Sequence, residues 1–370
     1  MPRPHRRLAS AVLAFSLIAV PAALFAEKGA SPAAPGRRTV AVTIDDLPFV
    51  AYGLPLDAVR KLSKELVAAL AARKVPAVAF VNEDRLFVPG EVDERIALLE
   101  EWLDAGMELG NHTFGHVGFT ATPLPKMKDA VVQGEVVTRG LLARRGKTLR
   151  WFRHPFTQTG PTKEAKDDFE SFLAGRGYAV APFSIEHEDW VFASADARLA
   201  AGKDEAARAR LLETYLENFE ARVAFYEERS RALFGREIPQ IHLAHANALN
   251  ARAMPLLLAR LERRGYTFVT LDEALADPAW KSPDGYVGKW GPSWLHRFAA
   301  ARGEDVRARI NAISELPDEW SARVQSWATL NQRRKTEYDS GSAPDENDEY
   351  LFYQTWPSTT ARSTSGTSSC

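Results

Sequence analysis

The sequence predicts an α/β fold in which a parallel sheet carries helices on its outer side. Short apolar runs alternate along the chain with longer segments of helical spacing, a pattern typical of consecutive β–α units. About six or seven of the apolar runs are predicted to be strands, a number that suits an incomplete (β/α) barrel. The polar residues of chemical interest fall at or just past the carboxyl ends of these runs, where parallel barrels build their sites.

The predicted strands are short, and the first one is rich in β-branched side chains, which favour extended backbone. The strand segments cover residues 39–44, 75–81, 107–111, 149–153, 178–183, 238–244 and 266–269.

The predicted helices follow from apolar residues that recur every three or four positions. In the first helix this stripe consists of Val59, Leu62, Leu66 and Leu70. The helical segments cover residues 56–73, 93–104, 126–143, 163–174, 204–233 and 253–263. The tract 204–233 is charged and contains neither Gly nor Pro. Its simplest interpretation is a solvated helical insertion or an antiparallel helix pair, with partner binding as the alternative.

The composition is that of an ordinary globular protein. The chain has 370 residues, of which 45% are hydrophobic and 26% charged, and a formal net charge of −1. A nucleic-acid-binding protein would show a basic surface, and nothing in this balance of charges indicates one.

The N-terminus resembles a secretory signal. Arg3, Arg6 and Arg7 precede an apolar stretch at residues 8–24, and Ala26 is a suitable cleavage residue. The alternative is a membrane anchor, but the stretch is short for a span of about 20 residues and contains a proline. The only cysteine is Cys370, so no internal disulfide can form. We therefore expect a secreted or periplasmic bacterial protein with no stable membrane span after signal cleavage.

The predicted organisation has a signal peptide, one catalytic domain and a C-terminal extension. The signal covers residues 1–26 and a linker rich in Pro, Ala and Gly covers 27–38. The domain covers 39–280, with the helical insertion at about 203–235. A C-terminal extension at 281–337 and a Ser/Thr/Gly-rich tail at 338–370 follow, and the tail is predicted to be disordered.

Two motifs indicate a metal site. Asp45 and Asp46 end the first strand, and His112 and His116 follow the third, four residues apart. One carboxylate and two imidazoles form a three-ligand site with room for water, the usual shape of a catalytic divalent-metal site. The second carboxylate is then free to act as a base on that water. These ligands suit Zn²⁺, with Co²⁺ or Ni²⁺ as alternatives.

Three further runs complete a family pattern. They are Arg153-His154-Pro155-Phe156, Asp189-Trp190 and Leu243-Ala244-His245. With the Asp and His motifs in the same order, the chain resembles the polysaccharide deacetylases of carbohydrate esterase family 4. Two positions depart from the family pattern: Leu47 replaces the Gly that usually follows the Asp pair, and Glu186 replaces an Asp.

The resemblance implies a distorted seven-stranded barrel and a role for each motif. Asp46, His112 and His116 would hold the metal, and Asp45 would be the general base. Arg153 would pair with Asp45 and keep it ionised. His245 would be the general acid, and Asp189 would be its carboxylate partner. The backbone N–H of Phe156 would stabilise the oxyanion. Trp190 would form a wall of the sugar groove, and Leu243 would line the pocket for the acetyl group.

The sequence therefore predicts a metal-dependent hydrolase that removes N-acetyl groups from an amino-sugar glycan, either peptidoglycan or chitin-like. The same residues would serve an O-acetyl esterase or a deformylase acting on carbohydrate, and a sugar-binding protein with weak catalysis is the alternative outside the enzyme class. Asn247 and Asn250, which follow His245 in the chain, are weaker candidates for substrate contact. His242 is predicted to be structural because a regular strand points it away from His245.

Overall fold

The computed structural model describes residues 38–288 and 291–305. The predicted signal peptide, the linker up to residue 37, the tail and residues 306–337 of the extension lie outside the described residues. Within the described ranges, no helix combines the length and apolar character needed to cross a membrane.

In the part of the chain that the structure describes, seven strands form one parallel sheet. They are β1 (Arg38–Val50), β2 (Val78–Val81), β3 (Glu108–Asn111), β4 (Trp151–Phe152), β5 (Ala179–Val180), β6 (Gln240–Asn247) and β7 (Tyr266–Phe268). The order across the sheet is β5-β4-β3-β2-β1-β6, and β7 pairs with the start of β1. β1 pairs with three strands, β2, β6 and β7, and every one of its residues after Arg38 is buried.

The sheet curls until the chain after β5 contacts its opposite edge. The Ala181 N–H donates to the Phe152 carbonyl of β4, whereas the Ser184 N–H donates to the Ile241 carbonyl of β6. Residues 181–184 therefore form hydrogen bonds with β4 near one edge of the sheet and with β6 at the other. This confirms the predicted parallel, barrel-like α/β fold with outer helices.

The helices surround the sheet. They are α1 (Leu56–Ala72), α2 (Val92–Asp104), α3 (Leu124–Gln133), α4 (Val136–Ala143), α5 (Lys163–Gly175), α6 (Asp189–Ala201), α7 (Glu205–Phe234), α8 (Ala248–Arg263), α9 (Leu271–Leu275) and α10 (Trp294–Ala301). α6 is absent from the sequence prediction. Its buried residues include two carboxylates, Asp189 at its first position and Asp196 in its middle, so polar and apolar positions are not separated in the way that marks an amphipathic helix.

The segment predicted as one helix at residues 126–143 consists of α3 and α4, separated at Gly134. A Cβ at Gly134 would lie 2.6 Å from the Phe114 N atom, closer than atoms can approach. Glycine therefore lets the loop that follows β3, which carries the two candidate metal-binding histidines, pack against this break.

The tract predicted as a solvated insertion or helix pair is instead the single 30-residue helix α7. The Asp204 side chain, just before the helix, caps the first turn by accepting from the Ala207 N–H at 2.9 Å. Gly235, with a φ of 69°, ends the helix. Tyr215, Phe219 and other residues of α7 are buried in the core. The prediction of a solvated element was wrong because one face of this helix is buried, with the charged residues Arg222, Glu227 and Arg229 among the buried ones.

Candidate metal and catalytic site

A break in the β1 pairing brings Asp45 and Asp46 to the same pocket. Neighbouring strand residues normally point to opposite faces. Here the register with β2 shifts between Ile44 and Leu47, and Asp46 adopts a left-handed φ of 70°. A bulge of this kind re-aims side chains. Both carboxylates are buried and both line one pocket.

His112 and His116 lie in the loop after β3, and not on a helix or at a helix start. His112 comes directly after Asn111, the last residue of β3, and His116 adopts a φ of 46°. The His112 Nδ1 atom lies 2.8 Å from the Arg153 carbonyl oxygen. Because a carbonyl can only accept, Nδ1 carries the proton, and Nε2 keeps its lone pair for a ligand.

Asp46, His112 and His116 fit a divalent metal. One ligand atom from each lies within 4.8 Å of the other two. Asp46 Oδ1 is 3.8 Å from His112 Nε2 and 3.4 Å from His116 Nε2. The same oxygen is buried and accepts no hydrogen bond from the described residues. The nearest cation of the chain is the Arg85 guanidinium, whose Nη2 atom lies 3.6 Å from this oxygen, beyond hydrogen-bond distance. The oxygen is therefore open to a metal ion, and the donor set of two imidazoles and a carboxylate suits zinc.

The protonation states agree with this fit. Burial lowers the pKa of His116 to about 4 and the pKa of His112 well below its ordinary value, so both rings are neutral near pH 7. Burial would raise the pKa of Asp46, but Arg85 and the histidines outweigh it and hold that pKa below its ordinary range. Two neutral imidazoles and an ionised carboxylate are the forms that bind metal.

Asp45 contacts the predicted arginine partner. Arg153 is fully buried, and its Nη1 atom lies 3.4 Å from Asp45 Oδ2, while Nη2 donates to Thr43 Oγ1 at 3.0 Å. Burial raises the pKa of Asp45 to about 6, although the charge of Arg153 opposes the rise. Arg153 thus limits the effect of burial but does not restore the ordinary pKa.

His245 and Asp189 form a closely bonded pair, and His245 lines the same pocket as the metal-site residues. The His245 Nδ1 atom lies 2.7 Å from Asp189 Oδ1, and the His245 backbone N–H donates to Asp189 Oδ2 at 2.7 Å. Burial alone would lower the pKa of His245, but Asp189 outweighs it and raises that pKa to about 10. The imidazole is therefore protonated at neutral pH, with Nε2 as its second N–H.

Asn250 and Tyr215 support this pair and were not predicted to do so. The Asn250 side-chain amide donates to Asp189 Oδ2 and to the His245 carbonyl, and its oxygen accepts from Tyr215 Oη at 2.5 Å. Asn250 is fully buried, and Asn247 lines the pocket, so the predicted substrate contacts of both residues stay predictions. Asn247 caps α8 by accepting from the Asn250 N–H. A Tyr on a distant helix carries no sequence signal for this contact.

The remaining predicted residues line a pocket of about 440 Å³. Trp190 is 51% exposed and Phe156 is 46% exposed, so neither belongs to the core. The Phe156 ring lies against His116, with centroids 4.4 Å apart. Leu243 is buried at the pocket wall, and His242 is buried away from it against His187. Residues that sequence reasoning did not predict also line the pocket, among them Tyr52, Arg85 and Gly291.

The chain was compared with known proteins. A polysaccharide deacetylase family model matches residues 33–168. No curated protein matches the sequence. One similar solved structure is the family 4 carbohydrate esterase from Streptomyces lividans in complex with acetate, at 22% identity, with a TM-score of 0.39 over 62% of this chain and 90% of that one.

Two further structures are similar at the same level. Peptidoglycan deacetylase PdaC from Bacillus subtilis has 19% identity and a TM-score of 0.44, with coverage of 67% of this chain and 96% of that one. A family 4 pseudoenzyme from Bacillus anthracis has 16% identity and a TM-score of 0.44, with coverage of 66% and 69%.

The family match contains the Asp pair, the His pair and the Arg153–Phe156 motif in the order that the family shares. Over residues 33–168, the chain therefore matches the polysaccharide deacetylase family.

Proposed function

We propose that this protein is a secreted, metal-dependent hydrolase that removes N-acetyl groups from an amino-sugar glycan, peptidoglycan or chitin-like, and releases acetate. The observation that carries the proposal is the arrangement of one pocket. Asp46, His112 and His116 converge on one side of it with Asp45 beside them, and His245, which is paired with Asp189, lines the same pocket. The apolar N-terminal segment of the sequence supports export.

The metal would be held by Asp46, His112 and His116. When bound, a divalent ion such as Zn²⁺ supplies a Lewis acid that polarises the amide carbonyl and acidifies a water. The two imidazoles reach the ion as neutral ligands because burial keeps them deprotonated.

Asp45 is the base in this proposal. Its Oδ1 atom is buried and accepts no hydrogen bond from the described residues, so one lone pair is available for the proton of an attacking water. A pKa of about 6 makes this carboxylate more basic than an exposed aspartate while leaving it mostly ionised at neutral pH. Arg153 fixes its orientation through the contact with Oδ2.

His245 is the acid. The water oxygen adds to the acetyl carbon, the C–N bond breaks, and the departing amine takes a proton from His245 Nε2. Asp189 holds the Nδ1 proton and stabilises the charged ring before that transfer. The products are acetate and a free amino sugar.

The pocket wall supplies the remaining roles. The Phe156 backbone N–H is proposed to donate to the oxygen that becomes negative in the transition state. Leu243 is proposed to contact the acetyl methyl group, and the exposed face of Trp190 to contact a sugar ring.

The test is release of acetate from a panel of defined glycans, measured with purified protein before and after treatment with a chelator and again after metal is restored. We expect acetate from N-acetylated oligosaccharides, loss on chelation and recovery with Zn²⁺. Acetate from O-acetyl xylan sugars alone would identify an esterase, and formate from N-formyl sugars would identify a deformylase. Glycan binding with no acid released at any metal concentration would contradict the proposal.

A further inference from the structure

The loop that follows β4 needs support from the rest of the chain. Phe156 and Thr157 both have a φ of 52°, a left-handed conformation that side-chain-bearing residues rarely adopt. Each such residue costs on the order of 1 kcal/mol or more, so consecutive ones persist only where the surroundings hold them. This loop, residues 155–159, carries the Phe156 N–H and contacts His116 through the Phe156 ring.

Arg297, on α10, provides much of that support. Its Nη2 atom donates to the Thr157 carbonyl at 2.6 Å, and Nη1 donates to Thr159 Oγ1 at 2.8 Å. Nε donates to the Pro292 carbonyl at 2.9 Å. One guanidinium therefore joins the loop to residues 284–288 and 291–297, which we call the strap. The strap lies entirely outside the residues matched by the family model.

The guanidinium is held rigidly and in its charged form. Arg297 is fully buried, its Nη1 atom lies 3.3 Å from Asp284 Oδ2, and it lies over the Trp294 ring at 4.3 Å. A planar fork of donors with a stacked face is a geometry that lysine cannot reproduce. The contacts are therefore specific to arginine, and a buried cation without its carboxylate and carbonyl partners would be strongly disfavoured.

Gly291 lets the strap approach the loop. The Thr157 hydroxyl donates to the Gly291 carbonyl at 2.6 Å, and a Cβ built on Gly291 would overlap both Thr157 Oγ1 and the Phe156 carbonyl oxygen. No side chain larger than hydrogen fits there while the loop keeps its shape. Gly291 also lines the pocket.

The strap is anchored to the pocket wall on its other side. The Ser293 hydroxyl donates to the Ser184 carbonyl at 2.7 Å, and the Trp294 N–H donates to the Phe183 carbonyl at 3.0 Å. Phe183 lines the pocket as well. The strap therefore connects the strained loop to the segment that closes the sheet, so the loop is fixed relative to the whole barrel.

We propose that Arg297 is a positioning residue: through the strap it holds residues 155–159 in the conformation that aims the Phe156 N–H at the reacting carbonyl. The catalytic part of this inference rests on the proposed function, and the structural part does not. A donor that moves by about 1 Å loses most of its effect on the transition state, on the order of 100-fold in rate.

The test compares Arg297→Lys with Arg229→Lys in the full chain. Arg229 is also a buried arginine, and its Nη2 atom bonds at 2.6 Å to Glu304, beyond the far end of the strap, without contacting the loop. Two quantities are measured: backbone amide hydrogen exchange of residues 154–160, and kcat and KM for acetate release. Bound metal is measured alongside, to show that the ligand site is intact.

For Arg297→Lys we expect exchange in this loop to rise by about tenfold or more and kcat to fall about 10- to 100-fold with KM within about twofold. For Arg229→Lys we expect neither change. Loop exchange equal to that of the unaltered protein in Arg297→Lys, or equal increases in both variants, would overturn the inference. Faster loop exchange with unchanged kcat would overturn its catalytic part.

Gly291→Ala provides a second route in case Arg297→Lys does not fold. The added methyl must displace the Phe156–Thr157 backbone, so we expect the same rise in loop exchange with Arg297 in place. An unchanged loop in Gly291→Ala would contradict the proposal. If the unaltered protein released no acid from any glycan, the proposed function would fail, and the exchange comparison would still decide whether the strap positions the loop.

Discussion

The two sides of the pocket differ in how their buried carboxylates are bonded. On the side of β1 and β3, Asp46 Oδ1 and Asp45 Oδ1 are buried and accept no hydrogen bond from the described residues. On the side of β6, Asp189 accepts from the His245 backbone, the His245 ring and the Asn250 amide. The carboxylates of the first side have ion-pair contacts with Arg85 and Arg153 but each keeps one oxygen without a hydrogen-bond donor, whereas both oxygens of the carboxylate on the second side accept hydrogen bonds from the chain itself.

This difference separates what each side can do alone. The protein positions His245 as a charged acid without any added group, because its partner and the supports of that partner are all side chains or backbone. The ligand side is prearranged in geometry and protonation but needs an ion to neutralise it. Substitutions on the first side should therefore change metal content or the base, and those on the second should change pH dependence.

The largest expected effect comes from Asp46→Ala. Loss of an outer hydrogen-bonding partner already weakens metal binding by about 10- to 100-fold, so removal of a ligand should weaken it by more than about 100-fold. Elemental analysis of the purified variant should show little metal, and acetate release should be abolished at ordinary metal concentrations. Full metal retention would remove Asp46 from the ligand set.

Asp45→Asn should keep the metal and lose the reaction. The amide has the same shape but cannot accept the proton of water, so kcat should fall by about 100- to 10,000-fold. Elemental analysis provides the control. Both Asp45→Asn and Asp46→Ala should lose activity, but only Asp45→Asn should keep the metal. A rate near that of the unaltered protein would show that Asp45 is not the base.

Asp189→Asn should change the pH profile on the opposite side. Asp189 raises the pKa of His245 to about 10, so removing the Asp189 charge lowers that pKa. As the pH rises, the variant therefore loses the protonated form of His245 earlier than the unaltered protein does. The alkaline limb should move to lower pH, and the rate at pH 8 should fall about tenfold more than the rate at pH 6. An alkaline limb that stays in place in both Asp189→Asn and His245→Ala would assign it to another group.

Tyr215→Phe should give the smallest effect. It removes the hydroxyl that orients Asn250, and a hydrogen bond of this kind contributes about 0.5–1.5 kcal/mol, so kcat should fall about two- to tenfold. Tyr266→Phe is a matched control. It removes a buried hydroxyl that donates at 3.1 Å to Glu227, which lies on α7 as Tyr215 does. Equal losses of kcat in both variants would indicate a general effect on stability, which thermal unfolding of each variant would reveal.

The periodicity of apolar residues predicted most of the secondary structure, because an element that buries one face has apolar residues at regular spacing. The alternation of strands and helices, the parallel sheet and the position of the motifs at strand ends all follow from it. It failed where burial depends on neighbours distant in sequence. α6 has buried carboxylates, and α7 has a charged outer face but a buried inner one, so neither position relative to the core is visible in spacing alone.

The chemistry divides in the same way. The sequence by itself determined which groups are present for the proposed catalysis: the Asp pair, the His pair, Arg153, and the later Asp189 and His245. Only the tertiary structure decided how they act. The bulge in β1 turns adjacent aspartates to one pocket, and Asn250, Tyr215 and Arg297 reach their partners across contacts that no local pattern encodes. Residue type sets which protons and lone pairs exist, whereas burial and distance, which arise only on folding, set their pKa values and partners.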